Sequence, residues 1–240
     1  MKKQILAVAL VATMGATLTG CCNSCKTEKT ETTTKTTCEM KTKIPYKKKY
    51  TNADYYKDGK FQGDVALKAY EEMLAHYEIK ISDFMRKNLW ITDFNLGDFE
   101  NVGMAGLFWV NDPVNNYFGH EIYLLPNQMI AEHRHIKSEF DAKMESWLVR
   151  DGSCFNFATG EAMANAPKLP ESQKEYITAK AFQCQNEGDV VHLNLIESSH
   201  FIIAGDGGAT ITEFASYHDG NGLRFTNPAV EFIDILTAGK

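Results

Sequence analysis

The chain has 240 residues, with 25 Lys and Arg against 31 Asp and Glu and a formal charge of -6. That length fits one domain, or two at most, and 44% hydrophobic residues with 11% aromatics supply a core. A net acidic chain argues against nucleic-acid binding, which uses a basic surface. The charge is uneven: residues 1–21 carry only Lys2 and Lys3, residues 22–60 carry ten Lys against five acids, and residues 61–240 hold the acidic excess.

Lys2 and Lys3 precede an apolar run, Ile5 to Met14, of signal-peptide length and too short to span a bilayer. Leu18-Thr19-Gly20-Cys21 follows and resembles the bacterial lipobox, in which the cysteine is acylated and becomes the mature N-terminus. This predicts a signal peptide at 1–20, lipidation at Cys21 and a lipid-anchored protein of the bacterial cell envelope, held by acyl chains rather than by a helix. Residues 21–60 are rich in Thr and Lys and poor in aliphatics. Such a stretch buries too little apolar surface to offset its ordering entropy and is expected to be a disordered tether. Lys41, Lys43 and Lys47 to Lys49 read as a solvated linker more readily than as a lipid-head contact. Cys22, Cys25 and Cys38 lie in the tether, and Cys154 and Cys184 in the body. Sequence alone leaves their pairing open.

The folded domain is expected over 61–240. Val65 to Tyr77 has Leu67, Tyr70, Leu74 and Tyr77 at helical spacing, and Asp83 to Leu89 forms a second short helix with Ser82 as N-cap. Strands follow at Met104–Val110, Glu121–Leu125, Trp147–Val149, Ser153–Phe157, Ala181–Phe182, Asp189–Leu195, Phe201–Ile203 and Ala209–Phe214, with turn residues between them. Many short strands predict a mainly β sandwich or barrel with N-terminal helices.

Seven His occur, and one pair is close: His133-Arg134-His135. On a strand, alternation puts both imidazoles on one face, where they can share a divalent metal. Glu145, then Gly152, and a late His200 at the start of a strand complete the series. H-x-H, E-x6-G and a late His are the ligand order of a cupin, the double-stranded β-helix or jelly-roll barrel. Nine residues separate His135 from Glu145 where a typical cupin has three or four. Leu195 and Glu197 replace the usual Pro and Gly before the last His.

Three stretches resemble the bacterial D-lyxose isomerase family, small cupin sugar isomerases. They are Ile91-Thr-Asp-Phe-Asn-Leu-Gly97 through Phe108-Trp-Val-Asn111; Glu121-Ile-Tyr-Leu-Leu-Pro-Asn-Gln128 with Glu132-His-Arg-His135 and Lys143-Met-Glu145; and Ser199-His200 with Thr212-Glu213-Phe-Ala-Ser216 and Phe225-Thr-Asn-Pro228. The similarity spans about residues 63–230, and its long His-to-Glu gap is the family's own. Asn127 stands where Gly is common. The resemblance implies that His133, His135, Glu145 and His200 ligate a divalent metal, Mn2+ before Zn2+, Fe2+ or Co2+. It also selects Glu213 to shuttle a proton between C2 and C1 of an open-chain sugar through a metal-bound enediol, and Lys143 to stabilise the developing oxyanion. The implied activity is an aldose–ketose isomerisation, D-lyxose to D-xylulose, with D-mannose to D-fructose as a related case. A homodimer is compatible, since cupins often pair through their sheets. Two other readings stay open: a metal-bearing sugar-binding cupin without turnover, motivated by the envelope leader, and an Fe(II) cupin dioxygenase. From the residues themselves, Arg134 is expected to face away and form an ion pair, His120 and His192 to be structural, and His218 to lie in a loop near the mouth. Trp109 and Trp147 are expected in the core.

Overall fold

A computed structural model of the chain describes residues 44–232 and the backbone of two strands, β1 (Cys25–Thr30) and β2 (Thr33–Cys38). The leader and Cys21 lie outside the described residues. β1 and β2 pair as a separate antiparallel ribbon, Cys25 opposite Cys38, where a structureless tether is expected.

The packed body also begins earlier than position 61. Tyr46 and Tyr55 are buried, the latter on a one-turn helix α1 (Asn52–Tyr55), followed by a small hairpin of β3 (Tyr56–Lys57) and β4 (Lys60–Phe61). Aromatic content draws this segment in: Tyr55 packs edge-on against Phe99 at 4.8 Å, and the Tyr56 hydroxyl donates to Asp93 at 2.9 Å. Lys48 and Lys49 pair with Glu100 and Glu72, at 3.0 and 2.8 Å, rather than standing free for lipid.

The two expected helices form, as α2 (Gly63–His76) and α3 (Asp83–Asn88). The Ser82 hydroxyl caps α3 by accepting from the Met85 amide at 3.2 Å. α2 buries Tyr70, Met73 and Leu74 against the outer face of a sheet, on Ile91, Ala105, Tyr123 and Leu125. Buried Gln128 locks this layer: its amide oxygen accepts from the Tyr70 hydroxyl and the Leu125 amide, and its Nε2 donates to the Phe99 carbonyl.

That sheet is antiparallel, curled and nine-stranded. Its strands are β5 (Trp90–Thr92), β6 (Met104–Asp112), β7 (Tyr117–Leu124), β8 (His133–His135), β9 (Glu145–Ala158), β10 (Ala181–Asn186), β11 (Val190–His192), β12 (His200–Ala215) and β13 (Leu223–Phe225). The order β10-β9-β12-β7-β6-β5 forms the main path, with β8 bridging β12 and β13, and β11 alongside β9. Ile122, Leu124, Trp147, Val149, Ile202 and Ile211 fill the interior. Trp147 is core as expected, whereas Trp109 is about half exposed.

The sequence suggests two strands on either side of Gly152 and two more around residues 204–209. Each pair is one long bent strand. Ala158 lies opposite His200, and Glu145 opposite Ala215. Laid straight, the thirteen steps between Glu145 and Ala158 would span roughly 43 Å at ~3.3 Å per residue. Yet the Glu145 carboxylate lies 2.9 Å from His200, so the strand pair curls back on itself. The bend sits at Gly152 and Gly208, with φ of 75° and 81°, where the pairing register shifts. A Cβ on Gly152 would come within 2.1 Å of the Gly208 carbonyl oxygen, so only glycine fits there.

Asn127 and Glu197, which stand at glycine positions of the resemblance, both have left-handed backbone, with φ of 62° and 60°. Cys184 is disulfide-bonded and Cys154 is a free, buried thiol, so the two do not pair with each other.

Candidate metal centre and active site

β8 places His133 and His135 on one face, with Arg134 exposed on the other. Arg134 makes no ion pair among the described residues, contrary to expectation. His133 lies directly opposite His200 at the start of β12, and the curl brings in Glu145 from the start of β9. One donor atom from each of His133, His135, Glu145 and His200 falls within 4.8 Å of the others. Two donors on opposite sides of an ion at roughly 2.0–2.3 Å lie only slightly closer than this.

The hydrogen bonds around the cluster favour a metal. His133 Nδ1 lies 2.9 Å from the Ala131 carbonyl, and His200 Nδ1 lies 3.0 Å from the Ser198 carbonyl. A carbonyl can only accept, so both Nδ1 atoms carry the proton and both Nε2 atoms present a lone pair. His200 Nε2 then faces a Glu145 carboxylate oxygen at 2.9 Å, and neither atom has a hydrogen-bond partner. His135 Nε2, 3.4 Å from the same carboxylate, is likewise buried and unpartnered. Lone pairs set against one another in a buried site call for a cation between them. The Glu145 charge also favours a proton on His200: burial lowers the His200 pKa, but the carboxylate outweighs it and the net shift is upward. His133, by contrast, is pushed well below its ordinary value, first by burial and then by His200 and His135, and stays neutral as a ligand must. The residues present fit a divalent ion.

Lys143, two residues before Glu145, is buried beside the cluster. Its ammonium donates to Glu145 at 2.9 Å and, at very short range, to Glu213. Burial alone would lower the Lys143 pKa, but the Glu145 and Glu213 carboxylates reverse that and raise it. Glu213 is raised by burial and pulled down further by Lys143, so it is ionised. An aromatic face also supports the ammonium, which lies 4.4 Å above the centre of the Phe118 ring.

Two further histidines belong to this site: His120, expected to be only structural, and His218, expected in a loop near the mouth. β7 and β12 pair His120 with Glu213, and His120 Nδ1 lies 3.4 Å from the Glu213 carboxylate. Stacked on Trp90 at 5.3 Å, the ring occupies the space that a Cβ on Gly106 would need. His218 reaches the cavity from the loop after β12, its ring 5.5 Å from that of His135. Burial first, then Lys143 and His135, push its pKa down to about 3, so it is neutral. No sequence signal marks His120 as part of the site, because its partner Glu213 lies 93 positions away; His218 lies in a loop at the cavity, as expected. His192 is instead on the outside, 2.8 Å from the Ser146 hydroxyl.

A cavity of about 60 Å3 lies among these groups. Trp90, Phe94, Phe108, Phe118, Phe225 and Phe232 form much of its wall. The His and Glu cluster, the Glu213 carboxylate and the Lys143 ammonium share this chamber with its aromatic wall. That arrangement can bind a small oxygen-rich molecule, polarise it and move a proton.

No family model matches the chain. A D-lyxose/D-mannose isomerase of Thermosediminibacter oceani is 30% identical over 164 residues, covering 68% of this chain and 89% of the relative. A D-lyxose ketol-isomerase of Thermofilum sp. is 29% identical over 163 residues, covering 67% and 89%. Among solved structures, a mutant L-ribose isomerase of Acinetobacter sp. DL28 with bound L-ribose matches with a TM-score of 0.55 at 13% identity. That match covers 70% of this chain and 92% of the other. The L-ribose isomerase of Cellulomonas parahominis with L-psicose gives 0.55 at 12%, covering 69% and 91%. At those identities the structures speak for the fold alone.

Proposed function

The chain belongs to the D-lyxose isomerase family and is a sugar aldose–ketose isomerase, and on that premise we propose that it interconverts D-lyxose and D-xylulose, with D-mannose and D-fructose as a second pair. The observation that carries the reading is the buried Lys143–Glu213 pair set against the three-histidine, one-glutamate cluster.

His133, His135, Glu145 and His200 would hold the metal, proposed to be Mn2+, which supplies Lewis-acid polarisation of the sugar carbonyl. The rest of the chemistry belongs to side chains. The Glu213 carboxylate takes the proton from C2 and delivers one to C1; between the two transfers the sugar oxygens hold the charge as an enediolate, and the proton of the O2 hydroxyl passes to O1 so that C2 becomes the ketone. Lys143 serves twice: it keeps Glu213 ionised and ready to accept, and its ammonium faces the oxygen on which negative charge grows. His120 Nδ1 orients the other Glu213 oxygen. Phe108, Phe118 and Trp90 shield the reacting carbons from bulk water.

The test is a panel of aldoses given to the Mn2+-loaded protein with ketose formation assayed. Lyxose should yield xylulose fastest; a panel with no conversion at all would overturn the reading. The leader supports a second element of the proposal, that Cys21 is acylated and the enzyme works at the cell envelope. Labelled palmitate should enter the wild-type chain and not a Cys21→Ala variant.

A further inference from the structure

Resting on the isomerase reading, we propose that His218 grips a hydroxyl of the sugar beyond its reacting carbons. The argument starts from the unpartnered polar atoms of the chamber. His135 Nε2, His200 Nε2 and Glu145 Oε2 are accounted for by a metal. His120 Nε2 has no hydrogen-bond partner either, but it is wedged over Gly106 beneath the Trp90 ring, where a ligand has no room. Trp90 Nε1 and His135 Nδ1 are unpartnered too, the first able only to donate and the second on a ring of the ligand cluster; His218 Nδ1 is buried, without a partner and able to donate or accept.

The fold holds the His218 backbone independently of its ring. Asn111 on β6 makes a reciprocal pair of hydrogen bonds with it, Nδ2 donating to the His218 carbonyl and Oδ1 accepting from its amide, each at 3.0 Å. The ring stacks on Phe118 at 5.5 Å and stands edge-on to His135 at 5.5 Å. It therefore sits where the ligand cluster meets the aromatic wall, the place reached by the part of an open-chain sugar that follows its reacting end. An imidazole suits a hydroxyl, because either partner can donate or accept.

The experiment uses the metal-loaded full chain, with a linear pentitol as the probe because it carries the hydroxyls and cannot isomerise. Calorimetric titration is run on wild type, His218→Ala and His218→Asn, beside metal analysis of each. The expected result is unchanged metal content, pentitol binding weaker by on the order of tenfold in His218→Ala, and partial recovery in His218→Asn, whose amide reaches the position of Nδ1. Equal pentitol affinity in wild type and His218→Ala overturns the proposal. So does loss of metal from His218→Ala, which would make the residue a ligand, and so does absence of pentitol binding by wild type. A wild-type protein that binds pentitol but converts no sugar defeats the isomerase reading alone, since the His218 comparison is still read from binding.

Discussion

Glu213 and the four proposed metal ligands should separate turnover from metal binding, although their side chains lie close together. Glu213 contacts Lys143 and His120 and stands outside the ligand cluster. Glu213→Gln should therefore lower kcat by at least ~100-fold, the scale of a lost general base, while metal content stays at the wild-type value. His200→Ala should remove both. Steady-state kinetics with elemental analysis of the two variants checks the split; a Glu213→Gln protein with normal kcat assigns the proton transfer elsewhere. The ligand pair is legible in the sequence because alternation alone puts His133 and His135 on one face. Glu213 and Lys143 are legible only through the family resemblance. His218 is legible as a loop residue near the mouth, but the place of His120 is not legible, since it depends on which strand pairs with which: His120 faces Glu213 through the register of β7 with β12.

At the scale of elements, the site depends on two bent strands. β9 and β12 must curl for Glu145 to meet His200, and Gly152 stands at the bend with its Cα against the Gly208 carbonyl. Gly152→Ala forces a Cβ into that carbonyl at a left-handed φ. The variant should lose about 2–3 kcal/mol of stability, read as a lower denaturation midpoint, and bind metal more weakly as the strand ends part. Full retention of both would show that the bend does not set the site. Local pattern explains why each bent strand reads as two: the bulge interrupts the alternation that defines a strand. β5, β8 and β13, at three residues each, are too short to show a period at all. The long helix α2 has a clear apolar face, and it starts only two residues before its periodic pattern does.

For the whole molecule, the division between tether and body moves. Composition separates a Thr- and Lys-rich stretch from an acidic domain at about residue 60, but it averages over the tyrosines. Tyr46 and Tyr55 are buried with α2 and Phe99, so residues 44–60 pack as part of the body. Burying a large apolar side chain contributes roughly 1.5–3 kcal/mol. A chain starting at residue 61 should thus unfold at least ~3 kcal/mol more easily than one starting at residue 44, as measured by urea titration. Equal midpoints would return that segment to the tether.

The central claim is that Glu213 moves a proton between adjacent carbons of a sugar in this chamber. Its most direct measurement is the isotope content of sugars after the metal-loaded protein is incubated with D-lyxose in D2O. The account predicts xylulose labelled at C1 and recovered lyxose labelled at C2, with both labels absent in Glu213→Gln. Xylulose formed without any label would contradict the proton transfer, and neither product nor label would contradict the isomerase itself.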